Sequence, residues 1–160
     1  MFDGMSLNCA MRTGPNLLNT ILRIMLNMRF GKFISGIDIS KMFFRIALRE
    51  EDKKYFRILI NDVPYQFNVL PFGVKAAPAM ANFVVRYILE QSMDKSVVDK
   101  ILRLSYMDDL NMTSNSEEQL LKWTKMVVKA LEESGMPCAK MITNSPLTVS
   151  YTHLTLPTKA

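Results

Sequence analysis

Tyr55-Phe56-Arg57-Ile58-Leu59-Ile60, then Asn61-Asp62, then Val63-Pro64-Tyr65-Gln66-Phe67-Asn68-Val69 is the stretch that decides the fold class. Two runs rich in β-branched and aromatic residues flank a pair that tolerates left-handed backbone angles, so the stretch reads as a β-hairpin. Pro64 has no N–H to donate and suits an edge or the first residues of its strand. Leu70-Pro71-Phe72-Gly73 ends the hairpin. A helix is expected to start near Pro78, with Met80, Phe83, Val84, Tyr87 and Ile88 inward. Upstream, Pro15 opens a helical stretch from Asn16 to Met28. There Leu17, Leu18, Ile21, Leu22, Met25 and Leu26 recur on one face, and Gly31 stops it. Phe33 to Ile39 is a short apolar run, read as a buried strand with Asp38 at its end.

Downstream, Ile101 to Tyr106 and Leu110 to Met112 are strand candidates around Met107-Asp108-Asp109. Ser116 with Gln119 has capping-box spacing, and Leu120, Leu121, Thr124, Val127, Val128 and Leu131 form a helical stripe that Gly135 closes. A hairpin interleaved with helices favours an α+β fold over a doubly wound sheet. Strands 33–39 and 101–106 are expected to be neighbours in one antiparallel sheet, with helices 78–90 and 117–134 packed on one face.

The chain has 160 residues, enough for one compact domain, and 49% of them are hydrophobic. Its net charge of +5 permits nucleic-acid binding without requiring it. Two cysteines, Cys9 and Cys138, and one histidine, His153, give little support to a zinc site, a histidine triad or a disulfide framework. Charges such as Arg23, Arg45 and Arg86 interrupt every candidate membrane span. Met1-Phe2-Asp3-Gly4 lacks the form of a signal peptide. An intracellular soluble domain is expected, without a membrane partner.

Asp108 and Asp109 are adjacent carboxylates, which repel one another unless a cation sits between them or one is protonated. On a straight strand they would point to opposite faces. In a tight turn both can lean toward a neighbouring strand, where Asp38 is the natural third ligand. Mg2+ prefers such hard oxygen ligands. Three aspartates at two strand ends suit two ions roughly 3.5–4 Å apart, the spacing used for in-line phosphoryl displacement. Taken alone, the pair reads more readily as a solvated acidic turn.

Tyr106-Met107-Asp108-Asp109, together with Leu70-Pro71-Phe72-Gly73 and Asp38-Ile39-Ser40-Lys41-Met42-Phe43, resembles in order and separation the palm motifs of a reverse transcriptase. The resemblance runs from about Phe2 to Ser145 and is closest to the BEL/Pao group of long-terminal-repeat retrotransposons. Phe2-Asp3, Ser6-Leu7-Asn8 and Gly14-Pro15-Asn16-Leu17-Leu18-Asn19 are similar to that group's approach to the first aspartate. Gly135 through Lys140 to Asn144-Ser145 is similar to its segment after the catalytic hairpin. Met141 stands where the family usually has tryptophan, a departure from the pattern.

The resemblance implies the palm of a right-hand polymerase with part of the fingers and no thumb. It implies RNA-directed DNA polymerase activity, with an RNA or DNA template, a primer and deoxynucleoside triphosphates. Asp38, Asp108 and Asp109 match the carboxylates that hold two Mg2+ ions, with Mn2+ as a substitute, and the carbonyl of Ile39 is a further ligand. Phe43 matches the aromatic residue under the deoxyribose, and Phe72 and Gly73 match positions lining the incoming nucleotide. Lys140 matches a lysine near the leaving pyrophosphate, while Tyr106 and Met107 meet the primer end. From the residues alone, Gly73 reads as an ordinary turn glycine, Phe43 more readily as a core residue, and Lys140 equally as a solvated charge.

Lys53-Lys54 with Arg49 and Arg57 could contact template or triphosphate, but Glu50, Glu51 and Asp52 beside them make a solvated turn the safer reading. Residues 1–145 are expected to be the partial polymerase domain of a retrotransposon polyprotein, a truncated gene model or a relic. The remaining fingers, the thumb and a ribonuclease H are missing partners, and the setting is a cytoplasmic particle or the nucleus. Residues 146–160, rich in threonine, are expected to be an unrelated or artefactual tail. A receiver domain also uses an acidic pair, an aspartate and a lysine, but there the pair comes first. A non-catalytic nucleic-acid-binding relic of the same fold would need exposed aromatic residues on its sheet rather than carboxylates.

Overall fold

The computed structural model describes residues 6–155. In chain order they form α1 (Leu7–Ala10), α2 (Ile21–Met28), β1 (Phe33–Ile39), a 3-10 turn (Met42–Arg45) and α3 (Glu50–Lys53). There follow β2 (Arg57–Ile60), β3 (Val63–Gln66), α4 (Ala77–Glu90) and α5 (Lys95–Arg103). β4 (Asp109–Ser114), α6 (Glu117–Glu133), β5 (Cys138–Thr143) and α7 (Pro146–Thr155) complete the order. Two compact units result, one of the chain up to Leu17 with Lys41–Val84, the other of Leu18–Ser40 with the chain from Val85.

In the first unit β2 and β3 pair antiparallel, from Arg57 with Gln66 to Ile60 with Val63. Asn61 and Asp62 take φ of 50° and 62°, the left-handed pair a two-residue hairpin turn requires. The hairpin is exposed on both faces. The core of this unit lies instead around Met42, Ile46, Leu48, Leu70 and Val74, all buried. There Leu48 N–H donates to Asn68 O and Leu70 N–H to Ile46 O.

The second unit is built on a three-stranded antiparallel sheet of order β4-β1-β5. Burial alternates along β1, so Ser35, Ile37 and Ile39 face the core while Ile34, Gly36 and Asp38 face away. α6 packs on the sheet through Leu120, Thr124, Val127, Val128 and Leu131, the stripe expected from spacing. Its ends follow local chemistry. Ser116 Oγ accepts from Gln119 N–H. Gly135 takes φ 75°, Met136 N–H donates to Leu131 O, and Gly135 N–H donates to Glu132 O, a Schellman stop.

Four expectations are corrected. Ile101 to Tyr106 is not a strand: α5 occupies 95–103, with Val98 and Ile101 buried one helical turn apart. The partner of β1 is β4, in register from Phe33 with Ser114 to Asp38 with Asp109. α2 begins at Ile21 rather than Asn16, capped by Thr20 Oγ1 accepting from Arg23 N–H; Asn19 before it donates to Leu102 O. Its apolar face is exposed, for only Ile24 is buried while Ile21, Leu22, Met25 and Leu26 are open. On α4, the inward positions are Ala77, Ala81, Val85, Ile88 and Leu89, and Met80, Phe83 and Tyr87 are exposed.

The threonine-rich tail set apart in the sequence begins as α7, which packs on α6 and β5. Glu117 accepts there from Ser145 Oγ and Leu147 N–H. Residues 156–160 lie outside the described residues, as do Phe2, Asp3 and Gly4. Among the described residues no helix is long and apolar enough to cross a membrane.

Candidate functional site

Asp38 sits between Ile37 and Ile39, each 1% exposed, so strand alternation turns its carboxylate to the face opposite the core. Its partner on β4 is Asp109 and its partner on β5 is Lys140. Asp109, Asp38 and Lys140 therefore form one row across three adjacent strands. Ile39 N–H donates to Asp108 O at 3.1 Å, which makes Asp38–Asp109 the non-hydrogen-bonded pair of the ladder, where opposed side chains come closest. The β1–β5 register shifts between Asp38 and Ile39, which pairs with Cys138, and Ala139 is the extra residue. Bulges of this kind re-aim side chains next to functional sites.

Tyr106 to Asp109 forms a tight turn. Tyr106 N–H donates to Asp109 O at 2.9 Å, and Asp109 N–H returns a bond to Tyr106 O at 3.0 Å. Met107 takes φ 53°, a conformation costing a non-glycine residue about 1–2 kcal/mol. The neighbouring segment is tied to α5. Asn111 Nδ2 donates to Leu104 O at 3.0 Å, Asn111 N–H to Ser105 Oγ, and Ser105 Oγ to Ile101 O at 2.8 Å. No local pattern in the sequence marks Asn111 or Ser105, because both act through tertiary contacts.

Asp109 has its pKa raised by partial desolvation, then by the charges of Asp108 and Asp38. Among the described residues no three or more acidic, histidine or cysteine side chains are gathered as a metal-binding group. Asp38 and Asp109 are opposed on one sheet face, while Asp108 stands in the turn. The donor chemistry still fits a divalent cation: hard oxygens, with negative charge crowded enough to be felt at Asp109. An open cleft of about 650 Å³ spans this face, lined by Gly36, Asp38, Asp109, Asn111, Lys140 and Ile142 among others.

The remaining candidates lie in the first unit. Phe43, in the 3-10 turn, is half-buried, and the exposed Phe72 ring meets it edge-on at 5.3 Å and Phe44 at 4.8 Å. Gly73 takes φ +81°, and a Cβ added there would meet nothing within 4 Å, so its backbone is open to approach. Lys53 pairs with Glu50 at 2.6 Å, and Arg49 lies 3.4 Å from Glu51 and 3.8 Å from Asp52. Those two charges are engaged by local acids, in keeping with a solvated turn.

A family profile described as reverse transcriptase (RNA-dependent DNA polymerase) matches residues 7–141. The chain is similar to the Gag-Pol polyprotein of Rous sarcoma virus subgroup C (strain Prague), 31% identical over 106 residues, which is 62% of this chain and 6% of that polyprotein. It is also similar to the enzymatic polyprotein of cauliflower mosaic virus (strain D/H), 27% identical over 110 residues, 68% of this chain and 15% of that protein. The chain thus spans only a small part of the length of these relatives.

Proposed function

Since this chain belongs to the reverse transcriptase (RNA-dependent DNA polymerase) family, we propose that it supplies the palm and part of the fingers of a polymerase from a BEL/Pao-type retrotransposon polyprotein. Its reaction is transfer of a deoxynucleotide from its triphosphate to the 3′-hydroxyl of a primer paired with an RNA or DNA template. The observation that supports this best is the row of Asp109, Asp38 and Lys140 across three strands beside the Asp108 turn.

Asp38, Asp108 and Asp109, with the carbonyl of Ile39, would hold two Mg2+ ions, or Mn2+ in their place. Bound there, the metal supplies activation of the primer hydroxyl and neutralises charge on the triphosphate and leaving pyrophosphate. Lys140 offers N–H donors and positive charge to that pyrophosphate. Phe43 lies under the deoxyribose, where an aromatic ring fills the space a 2′-hydroxyl would need. Phe72 and Gly73 line the nucleotide, Gly73 by carrying no side chain. Tyr106 and Met107 pack at the primer end.

Single-nucleotide primer extension by a longer polymerase carrying this segment tests the reading. Asp108→Asn should abolish extension. Phe43→Val should raise ribonucleotide incorporation about tenfold to a hundredfold while sparing deoxynucleotide chemistry. Phe43→Tyr should keep the discrimination. An unchanged selectivity ratio in Phe43→Val would make Phe43 a core residue. The 160-residue chain alone should extend primers little, since thumb and fingers provide much of the positioning.

A further inference from the structure

The side-chain amide of Asn8, in α1, both donates to and accepts from a loop far away in sequence. Asn8 Nδ2 donates to Gly73 O at 2.7 Å, and Lys75 N–H donates to Asn8 Oδ1 at 2.8 Å. One carboxamide thus meets a carbonyl and an N–H two residues apart, as a residue of a neighbouring parallel strand would. Asparagine alone suits this span: aspartate has no N–H, serine is too short, and glutamine is longer by a methylene.

The loop depends on such a clamp. Leu70 and Val74 anchor its ends by burial, at 0% and 8% exposure. Between them Phe72 is 63% exposed, and Gly73 takes φ +81° with open space where a Cβ would stand. Pro71 before it is buried, and the Phe72 ring itself makes a pair of edge-on contacts with Phe43 and Phe44. Those contacts are directional and weak, about 0.5–1.5 kcal/mol each. The Asn8 bonds set where the loop backbone lies, and so where the Phe72 ring meets Phe43.

We infer that Asn8 is a positioning residue for the incoming nucleotide, clamping the Phe72-Gly73 loop so that Phe72 holds Phe43 in the place that discriminates deoxyribose from ribose. The inference rests on the assignment of Phe43, Phe72 and Gly73 proposed above. Loss of the clamp leaves the chemistry of those residues intact and lets the loop and the Phe43 ring wander. Ribonucleotide then gains relative to deoxynucleotide, an effect that a general loss of stability does not produce.

The test is an NMR titration of the 160-residue chain with dATP and with ATP in Mg2+, in wild type, Asn8→Ala and Asn8→Asp, with amide exchange at Lys75 and thermal unfolding recorded alongside. Asn8→Ala should weaken dATP binding about tenfold. It should reduce the dATP-over-ATP preference by about threefold or more and speed Lys75 exchange. Asn8→Asp, which keeps the acceptor for Lys75 N–H but loses the donor, should fall between. If Lys75 exchange rises while affinity and preference stay at wild-type values, the clamp is structural only and the inference fails, with the nucleotide site intact. It fails likewise if both nucleotides weaken equally in step with thermal stability. If the wild-type chain shows no preference for dATP, the assignment of Phe43, Phe72 and Gly73 fails and takes the inference with it.

Discussion

Gly36→Ala probes the support behind the acidic turn. A Cβ at Gly36 would lie 2.9 Å from Asn111 Oδ1 and 4.0 Å from Ile142 O. The first distance is too short, so the Asn111 amide must give way by a few tenths of an ångström. It is not free to do so, because its Nδ2 donates to Leu104 O. Breaking that bond costs about 1 kcal/mol, while replacing glycine at a compatible backbone position returns about 0.4–1 kcal/mol through the unfolded state. Gly36→Ala alone should therefore be close to neutral, between zero and about 0.6 kcal/mol destabilising. With Asn111→Ala already in place the clash and the bond are both gone, and the same change should stabilise by about 0.4–1 kcal/mol. The coupling in the double-mutant cycle is then about 1 kcal/mol. Urea unfolding of the four proteins at constant m-value measures it. Additivity within about 0.3 kcal/mol would show that Asn111 does not hold the segment in the way its bonds imply.

Thr124 is fully buried on α6 and its hydroxyl has no hydrogen-bond partner among the described residues; Thr124→Val keeps the shape and should raise stability by about 1 kcal/mol in urea unfolding. A loss of that size would mean the hydroxyl is satisfied. Cys138 is buried, and burial followed by the charges of Glu132 and Asp38 pushes its thiol up to about 12, whereas Cys9 is exposed. Iodoacetamide at pH 8 should label Cys9 and spare Cys138 in the folded chain, as peptide mass mapping would show. The raised pKa of Asp109 means that the folded chain still holds a proton that the unfolded chain has released. Stability therefore falls as pH rises through the window from the ordinary carboxylate value to the raised one. Asp109→Asn should raise the melting temperature at pH 7 in EDTA, with the gain shrinking toward pH 4; equal or lower melting at pH 7 contradicts this.

What was legible in the sequence is what local chemistry decides. Asn61-Asp62 forces its turn, Ser116 and Gly135 bound α6, and the apolar run 33–39 is β1 with both ends as read. Where the outcome rests on distant partners, the reading failed. Ile101 to Tyr106 is too short for periodicity to separate strand from helix. The segment before α2 is held outside the helix by Asn19 reaching Leu102. Spacing put Ile21, Leu22, Met25 and Leu26 together on α2, but spacing cannot say whether anything covers them.

The site divides in the same way. Motif resemblance picked out Asp38, Asp108, Asp109 and Lys140, yet that Lys140 lies opposite Asp38 depends on the register in which β5 pairs with β1, which no local pattern shows. Asn8 and Asn111 do their work through backbone groups of other segments; Asn8 stood out only within the Ser6-Leu7-Asn8 resemblance, with no hint of its bonds, and Asn111 not at all.

Mn2+ titration of the 160-residue chain, followed by the electron paramagnetic resonance signal of the free ion, asks directly whether the aspartates at the β1–β4 pair hold a divalent cation. Saturable binding should weaken at least tenfold, about 1.4 kcal/mol, in both Asp38→Asn and Asp109→Asn. Asp62→Asn, a carboxylate removed from the hairpin turn where asparagine is at home, should bind as wild type does. Equal Mn2+ affinity in wild type, Asp38→Asn and Asp109→Asn would contradict the account.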